Sequence, residues 1–417
     1  MMKIVFVGGG STYTPAIIQR FLQSSWGAAI DEISLIDRDP KRLRAMAFLS
    51  KIVVGSTGRR NIITANERMR DGLEGADFII LQIRAGGFAG RHRDETLPLS
   101  CGCVGDETVG AGGFSHAMRV IPEVMKIAQE AKEVCPNAYF LVLSNPTGII
   151  VRALLERYTF PVIGLCDVPF DVANRIASVM EVTPGSLKVT TAGLNHVNYV
   201  ISIKQEEKEI LPSFLAGWSG KHEKILGFPR ELVQTLQAIP CVPYMRCFYN
   251  PEEVFKEQSE RTYSRAQKVE EWQRNIFDRY EQQSMEMLDQ LIKERQAPLY
   301  AKIITSVCGA LSGEGDKFFA CLTTRNNGVI NGMPRDSIVE VPCLLSENRC
   351  EPKASVSLPL PALAIVLHSA IYENLAVQAA FDPCKESILK ALLVNPLVGT
   401  YPKAVELAKK IEPTLFY

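Results

Sequence analysis

Cys166, in the run Val162-Ile-Gly-Leu-Cys-Asp-Val-Pro169, and His196, in Gly193-Leu-Asn-His196, each end an apolar stretch. A soft thiolate and an imidazole can hold a divalent metal and leave coordination positions open for a substrate. Upstream of both lies Lys3-Ile-Val-Phe-Val-Gly-Gly-Gly-Ser11, an apolar run that breaks into glycines as a dinucleotide-binding turn does. A metal beside a bound nicotinamide points to chemistry on a carbon bearing a hydroxyl. Each residue alone has a plainer reading. Cysteine is among the most buried residue types, and a single histidine fits a satisfied core position. The spacing of the two makes no metal motif, so the weight rests on both closing β-like runs, with Asn145 and Asp167 at corresponding places.

Gly8, Gly9, Gly10 and Ser11 follow a predicted strand and precede a predicted helix. Such a turn brings backbone N–H groups to a pyrophosphate at the helix N-terminus. Gly8 and Gly10 match the first two glycines of G-x-G-x-x-G, while Tyr13 takes the third place and predicts less close packing of helix on strand. A glycine-rich turn without a ligand is the alternative. Asp37 ends the second predicted strand, where an acid hydrogen-bonds an adenosine ribose and selects NAD over NADP. Arg38 and Arg42 lie close enough in sequence to accept a 2′-phosphate instead.

The elements that must position these residues alternate short β-rich runs with helical patterns, the signature of βαβ units and a parallel sheet. Strands are predicted at Ile4–Val7, Glu32–Asp37, Ile62–Ala65, Ala76–Gln82, Phe140–Leu143 and Val162–Leu165, with a helix starting near Thr14-Pro15. Several of them deliver polar residues at carboxyl ends, where open α/β sheets bind ligands. Past His196 the pattern changes. Residues 251–298 are charged and helical in period, Phe318–Thr323, Ile338–Val341 and Ser355–Leu358 read as an antiparallel portion, and helices close the chain from about Pro361. The predicted fold class is α/β, with a Rossmann-type doubly wound sheet over residues 1–195 and a C-terminal α+β domain over 196–417.

The chain has 417 residues, enough for two domains, and an ordinary globular balance of 47% hydrophobic and 22% charged residues. Net charge is +0, so no electrostatic footprint recommends nucleic acid or an anionic membrane as partner. The first apolar run is too short for a signal-peptide core, and no uninterrupted apolar span reaches membrane length. Eleven cysteines, odd in number and without paired spacing, fit a reducing cytoplasm rather than a disulfide framework.

Several longer stretches occur in a telling order. They are Gly8-Gly-Gly-Ser-Thr-Tyr-Thr-Pro15, Gly105-Asp-Glu-Thr-Val-Gly-Ala-Gly-Gly-Phe114, Ser144-Asn-Pro-Thr-Gly148, Gly164-Leu-Cys-Asp-Val-Pro169 and Gly193-Leu-Asn-His196. Pro243-Tyr-Met-Arg246, Thr324-Arg-Asn-Asn-Gly328, Ile338-Val-Glu-Val-Pro-Cys343 and Asn395-Pro-Leu-Val-Gly399 continue the series. The chain resembles the family 4 glycoside hydrolases over nearly its whole length. That family departs from two-carboxylate hydrolysis by its dependence on NAD.

The resemblance implies a lactate/malate dehydrogenase-like fold and a glycosidase that uses NAD without net oxidation. Hydride leaves C3 of the sugar and later returns, a base removes the acidified C2 proton, the C1 substituent departs and water adds. It implies Cys166 and His196 as metal ligands, with Mn²⁺ the usual ion, and Asn145 near the sugar hydroxyls and nicotinamide. It places Tyr244 as the C2 base, with Tyr249 competing for the role. Asp167 follows the family members that act on α-linked 6-phosphoglucosides, where an aspartate serves as general acid. Arg84-Ala-Gly-Gly87 and Pro243-Tyr-Met-Arg246 look more like the β-acting group, which is favoured here. Arg91 and Arg93 are candidates for binding a sugar phosphate, since Arg can bind phosphate bidentately; a solvated pair is the plain reading. The expected partner is a phosphorylated disaccharide or glycoside, and the expected assembly a cytoplasmic homodimer or homotetramer. The competing readings are a family 4 enzyme on an unphosphorylated sugar or uronide, an ordinary NAD-dependent hydroxy-acid dehydrogenase, and a silent NAD-binding regulator.

Overall fold

The computed structural model describes residues 1–279, 298–353 and 355–411. Six parallel strands form one part of the sheet: β1 (Met2–Val7), β2 (Ile30–Ile36), β3 (Ile63–Asn66), β4 (Phe78–Leu81), β5 (Tyr139–Val142) and β6 (Val162–Gly164). Their spatial order is β3-β2-β1-β4-β5-β6. The order reverses between β1 and β4, so the loops after these strands open into one crevice.

Side chains alternate across this sheet, and both faces are covered. Ile4, Phe6 and Ile33 pack with Ile17, Phe21 and Leu49 of the helices Thr14–Leu22 and Pro40–Ser56. Val5, Val7, Ile79 and Phe140 pack with Val124 and Ile150 of the helices Gly110–Val134 and Thr147–Arg157. Near-continuous apolar runs are what a parallel sheet buried on both faces requires. Each fully buried side chain of this kind contributes about 1.5–3 kcal/mol, which fixes the strand ends that carry the polar loops.

The antiparallel strands extend the same sheet. They are β7 (Leu187–Leu194), β8 (Val197–Gln205), β9 (Lys208–Glu209), β10 (Ile239–Pro240), β11 (Phe318–Arg325), β12 (Ile338–Ser346) and β13 (Arg349–Pro352). β11 joins β6 through Thr323 opposite Gly164, and β12 joins β7 through Glu340 opposite Gly193. Residue 195 falls in the two-residue turn of the β7–β8 hairpin, so both arms of that hairpin belong with the antiparallel part.

One expectation needs correction. Ser355–Leu358 is no strand: Val356 makes a lone parallel bridge to Ile330. The strand beside β12 is instead β13, reached by the tight turn Glu347-Asn348, with Asn348 at φ 53. The segment 251–298 contains the helices Pro251–Ser259 and Arg265–Arg279, while 280–297 lies outside the described residues. The helix Leu360–Phe381 is long and apolar enough by composition to cross a membrane, with a hydropathy of 1.4. In the fold it is a packed helix whose Tyr372, Ala376, Val377 and Ala380 enter a core with Phe114 and Ile121.

Candidate active site

The turn after β1 is pressed onto its neighbours. Gly8 and Gly9 N–H groups both donate to the Ile36 carbonyl at 2.9 and 2.8 Å. A Cβ on Gly8, whose φ is +91°, would stand 2.6 Å from the Gln82 carbonyl oxygen, so only glycine fits there. Gly10 N–H donates to Asp37 Oδ2 at 2.9 Å, and Asp37 Oδ1 accepts from Asp39 N–H at 3.0 Å. Ser11 N–H closes the turn on the Gly8 carbonyl at 3.0 Å. The helix Thr14–Leu22 starts without a side-chain cap; Thr14 N–H donates to the Ser11 carbonyl at 3.0 Å and Pro15 has no N–H to satisfy. What fits a dinucleotide is the tight glycine turn, without side chains at three successive positions, beside an acid at the next strand end. Arg42 is pinned beneath it, Nε to the Gly10 carbonyl and Nη2 to Gln273, and Arg38 pairs with Glu123. Tyr13, at the third glycine's place, lies against Tyr300 with ring centroids 6.1 Å apart.

Cys166 follows β6 and His196 ends the two-residue turn between β7 and β8. The structure brings them together: Cys166 Sγ lies 3.5 Å from His196 Nε2. Two ligands of one divalent ion, at zinc-like bond lengths of about 2.3 and 2.1 Å and a tetrahedral angle, stand roughly 3.6 Å apart. The donor set therefore fits a metal. Among the described residues no cluster of three His, Cys, Asp or Glu forms. Burial lowers the His196 imidazole to about 3 and keeps it neutral, the form that ligates. Burial also pushes the Cys166 thiol well above its usual range, with Glu340 and Asp167 adding to the effect. A bound cation reverses that penalty. His196 sits at φ 68, an uncommon conformation for a non-glycine residue that aims its ring at the thiol.

Tyr244 stacks on the His196 ring, with centroids 3.8 Å apart and planes at 28°. Burial pushes its phenol up, Asp106 and Cys166 push the same way, and a hydrogen bond with Thr108 opposes them. Tyr249 instead hydrogen-bonds Tyr199 at 2.8 Å, away from the pair. Asp167 stands at the N-cap of the helix Val168–Met180 with no side-chain cap bond. Its carboxyl is raised by burial, and a hydrogen bond from the Tyr300 hydroxyl works against the rise. Tyr300, on the helix Pro298–Ser312, is a residue that sequence reasoning missed. Its phenol is raised by burial and then by Cys166, Asp167, Tyr244 and Tyr13, which places it at the meeting point of the metal pair and the glycine turn. No local pattern marks it.

Asn145 follows β5 and accepts a hydrogen bond from Thr147 Oγ1 at 3.2 Å. Its neighbour Pro146 lines a cavity of about 20 Å³ with Thr108, Asn195, His196 and Glu373. Arg91, on the helix Gly87–Thr96, is held by Glu95 at 2.7 Å and Glu107 at 2.9 Å, whereas Arg93 is exposed. Both lie on one helix, but the charge of Arg91 is already compensated.

A thiol, an imidazole and a phenol thus gather at the carboxyl edge of a sheet whose other loop fits a dinucleotide. A malate dehydrogenase from Plasmodium falciparum shares this fold, with a TM-score of 0.56 at 14% identity over 92% of this chain and 99% of its own. The 6-phospho-beta glucosidase from Thermotoga maritima, solved with manganese, NAD+ and glucose-6-phosphate, superposes with a TM-score of 0.87 at 26% identity, covering 99% of this chain and 98% of that one. A probable 6-phospho-beta-glucosidase of Bacillus subtilis is 29% identical over 95% of this chain and 92% of its own. The phospho-alpha-glucosidase PagL of Clostridium acetobutylicum is 28% identical over 98% and 96%. The family 4 glycosyl hydrolase model matches residues 3–182 and the model of that family's C-terminal domain matches 191–398. With both models matched in succession around Cys166 and His196, the chain belongs to glycosyl hydrolase family 4.

Proposed function

We propose that this chain hydrolyses 6-phospho-glucosides, β-linked ones first, with NAD at the glycine turn and Mn²⁺ or a similar divalent ion at Cys166 and His196. The carrying observation is the thiol–imidazole pair at 3.5 Å with a tyrosine ring stacked on it. When bound, NAD supplies reversible hydride acceptance at a sugar carbon, and the metal polarises the neighbouring oxygens and favours a nearby phenolate. Tyr244, beside the pair, takes the proton from the adjacent C2. Asn145, at the end of β5, orients the sugar hydroxyls. Asp167 gives a proton to the departing oxygen, and the Tyr300 hydroxyl holds its carboxyl in place. Gly8, Gly9, Gly10 and Ser11 cradle the pyrophosphate, and Asp37 takes the ribose hydroxyls. Arg93, exposed, offers its guanidinium to the sugar phosphate, and Arg91 does so in competition with Glu95 and Glu107.

A carboxyl at Asp167 favours a second reading, α-linked substrates, because a carboxylic acid protonates a poor leaving group where an amide cannot. Residues 1–195 serve the dinucleotide in this reading, and 196–417 the substrate and subunit contacts. Exposed Leu360, Ile371, Leu393 and Tyr401 support a homodimer or homotetramer. All eleven cysteines are free thiols, which supports the cytoplasm. The test is a panel of α- and β-glycosides, with and without 6-phosphate, run with NAD⁺ and Mn²⁺ in D₂O. Product carrying deuterium at C2 is expected, without accumulation of NADH. A product with its C2 proton retained overturns the reading, and stoichiometric NADH makes the chain a dehydrogenase.

A further inference from the structure

A carboxylate that the proposed chemistry does not use lies beneath the metal pair. Glu340 is 0% exposed near the start of β12. It belongs to one cross-strand row: Gly164 faces Thr323, Thr323 faces Glu340, Glu340 faces Gly193, and Gly193 faces Asn198. Gly164 at one end precedes Cys166 by two residues, and Asn198 at the other follows His196 by two. Gly193 places no side chain between Glu340 and Asn198, so the carboxylate reaches across it. Glu340 Oε2 accepts from Asn198 Nδ2 at 2.5 Å, and Oε1 accepts from Asn195 Nδ2 at 3.1 Å and from Thr323 Oγ1 at 3.5 Å. Asn195 also hydrogen-bonds the Cys166 thiol.

A buried carboxylate costs several kcal/mol of desolvation unless its lone pairs are satisfied. Here the compensation comes from neutral amides and a hydroxyl, and the two amides bracket His196 in sequence. The turn they bracket is strained, with His196 at φ 68. A histidine leaves the left-handed region, which favours glycine or asparagine, unless its surroundings over-determine it. Two hydrogen bonds from one rigid strand supply that restraint. We propose that Glu340 is the positioning residue of the metal pair: through Asn195 and Asn198 it locks the hairpin turn that aims His196 at Cys166. The inference rests on reading Cys166 and His196 as the metal ligands.

The test measures Mn²⁺ affinity by the electron-paramagnetic signal of the free ion, NAD affinity by fluorescence, and thermal unfolding, with Cys166→Ser as control. Glu340→Gln turns one acceptor into a donor facing an amide N–H₂. It should weaken Mn²⁺ binding about 10–100-fold, the usual cost of losing an outer-shell partner, while NAD affinity stays within about twofold. Asn198→Asp combined with Glu340→Gln reverses the polarity of the stronger bond and should restore most of the lost Mn²⁺ affinity. If Glu340→Gln does not fold, Asn198→Ala, which leaves the Asn195–Cys166 bond in place, reads the same link and should weaken Mn²⁺ binding at least tenfold. Wild-type Mn²⁺ affinity in Glu340→Gln, a parallel loss of NAD and Mn²⁺ binding, or no rescue by the polarity swap overturns the inference. Loss of Mn²⁺ binding in Cys166→Ser with none in Glu340→Gln removes this inference alone. Absence of Mn²⁺ binding by the wild type removes the ligand reading and this inference with it.

Discussion

Gly10→Ala tests the dinucleotide turn with a single methyl group. A Cβ on Gly10 would lie 2.6 Å from Asp37 Oδ2 and 2.8 Å from Arg42 Cβ. Ordinary contact begins at 3.4 Å, so the carboxylate must retreat by roughly 0.8 Å. The 2.9 Å bond from Gly10 N–H to Asp37 then passes out of hydrogen-bond range. A bond to a charged group contributes about 1.5–3 kcal/mol. Alanine recovers about 0.4–1 kcal/mol through the unfolded chain, because the backbone at Gly10 is not left-handed. The net change to the turn is therefore about 1–2 kcal/mol, and Asp37 no longer stands where a ribose needs it.

The expected result is NAD⁺ affinity weakened about 5–30-fold, since each 1.4 kcal/mol is tenfold, with Mn²⁺ affinity unchanged. Titration calorimetry on the two ligands separately checks both parts. Gly8→Ala is the contrasting variant. Its Cβ meets a backbone carbonyl at 2.6 Å with φ +91°, so it should impair folding itself. NAD⁺ affinity within twofold of wild type in Gly10→Ala would refute the reasoning, as would equal loss of both ligands.

Asp167→Asn should slow glycosides with sugar leaving groups by about 10²–10⁴ and nitrophenyl glycosides far less, because a nitrophenolate departs without a proton; equal losses on both would assign Asp167 to orientation alone. Glu373 is buried, and burial raises its carboxyl to about 8 against the nearby Arg152. A carboxyl raised in the folded state adds stability below its unfolded value and loses it as pH rises toward 8. Glu373→Gln lacks that loss, so its stability relative to wild type should climb between pH 4.5 and 8 by at most about 5 kcal/mol, read as a rise in relative melting temperature. A flat difference in scanning calorimetry across that range would remove Glu373 as the cause.

The parallel half was legible because its strands are short apolar runs closed by turn residues, and β1 to β6 each stand within two residues of the expected places. Glycine count and spacing announced the first turn, since the backbone clash and positive φ at Gly8 leave no other residue type there. The antiparallel half was less legible. Ser355–Leu358 has strand composition, but the turn at Asn348 lets Arg349–Pro352 pair with β12 first. A hairpin is decided by turn geometry as much as by propensity. Tyr300 was illegible for a different reason: it reaches the site from the helix Pro298–Ser312, far along the chain, and helical phase alone does not say which neighbour it meets. Glu340 did leave a trace, an acid inside the apolar run Ile338-Val-Glu-Val-Pro. A charge at a core-facing strand position has to be explained by its partners.

The acids gathered around Cys166 give a reason for a cation in the proposed site. Cys166, Asp167, Tyr244 and Tyr300 are all displaced toward their protonated forms, by burial first and then by one another. Such a cluster has too many acids for its solvation, and protons satisfy it only by disabling the thiolate and the phenolate. His196 brings no charge of its own, because burial keeps it neutral. Arg91, among the nearest cations proposed for the substrate, is already neutralised by Glu95 and Glu107. A divalent ion held beside the thiol would supply the positive charge that these acids lack, and with it Cys166 and Tyr244 would lose their protons more readily. The metal, on this argument, is as much the electrostatic completion of the cluster as the holder of the sugar. Its removal should therefore cost base strength and substrate binding together.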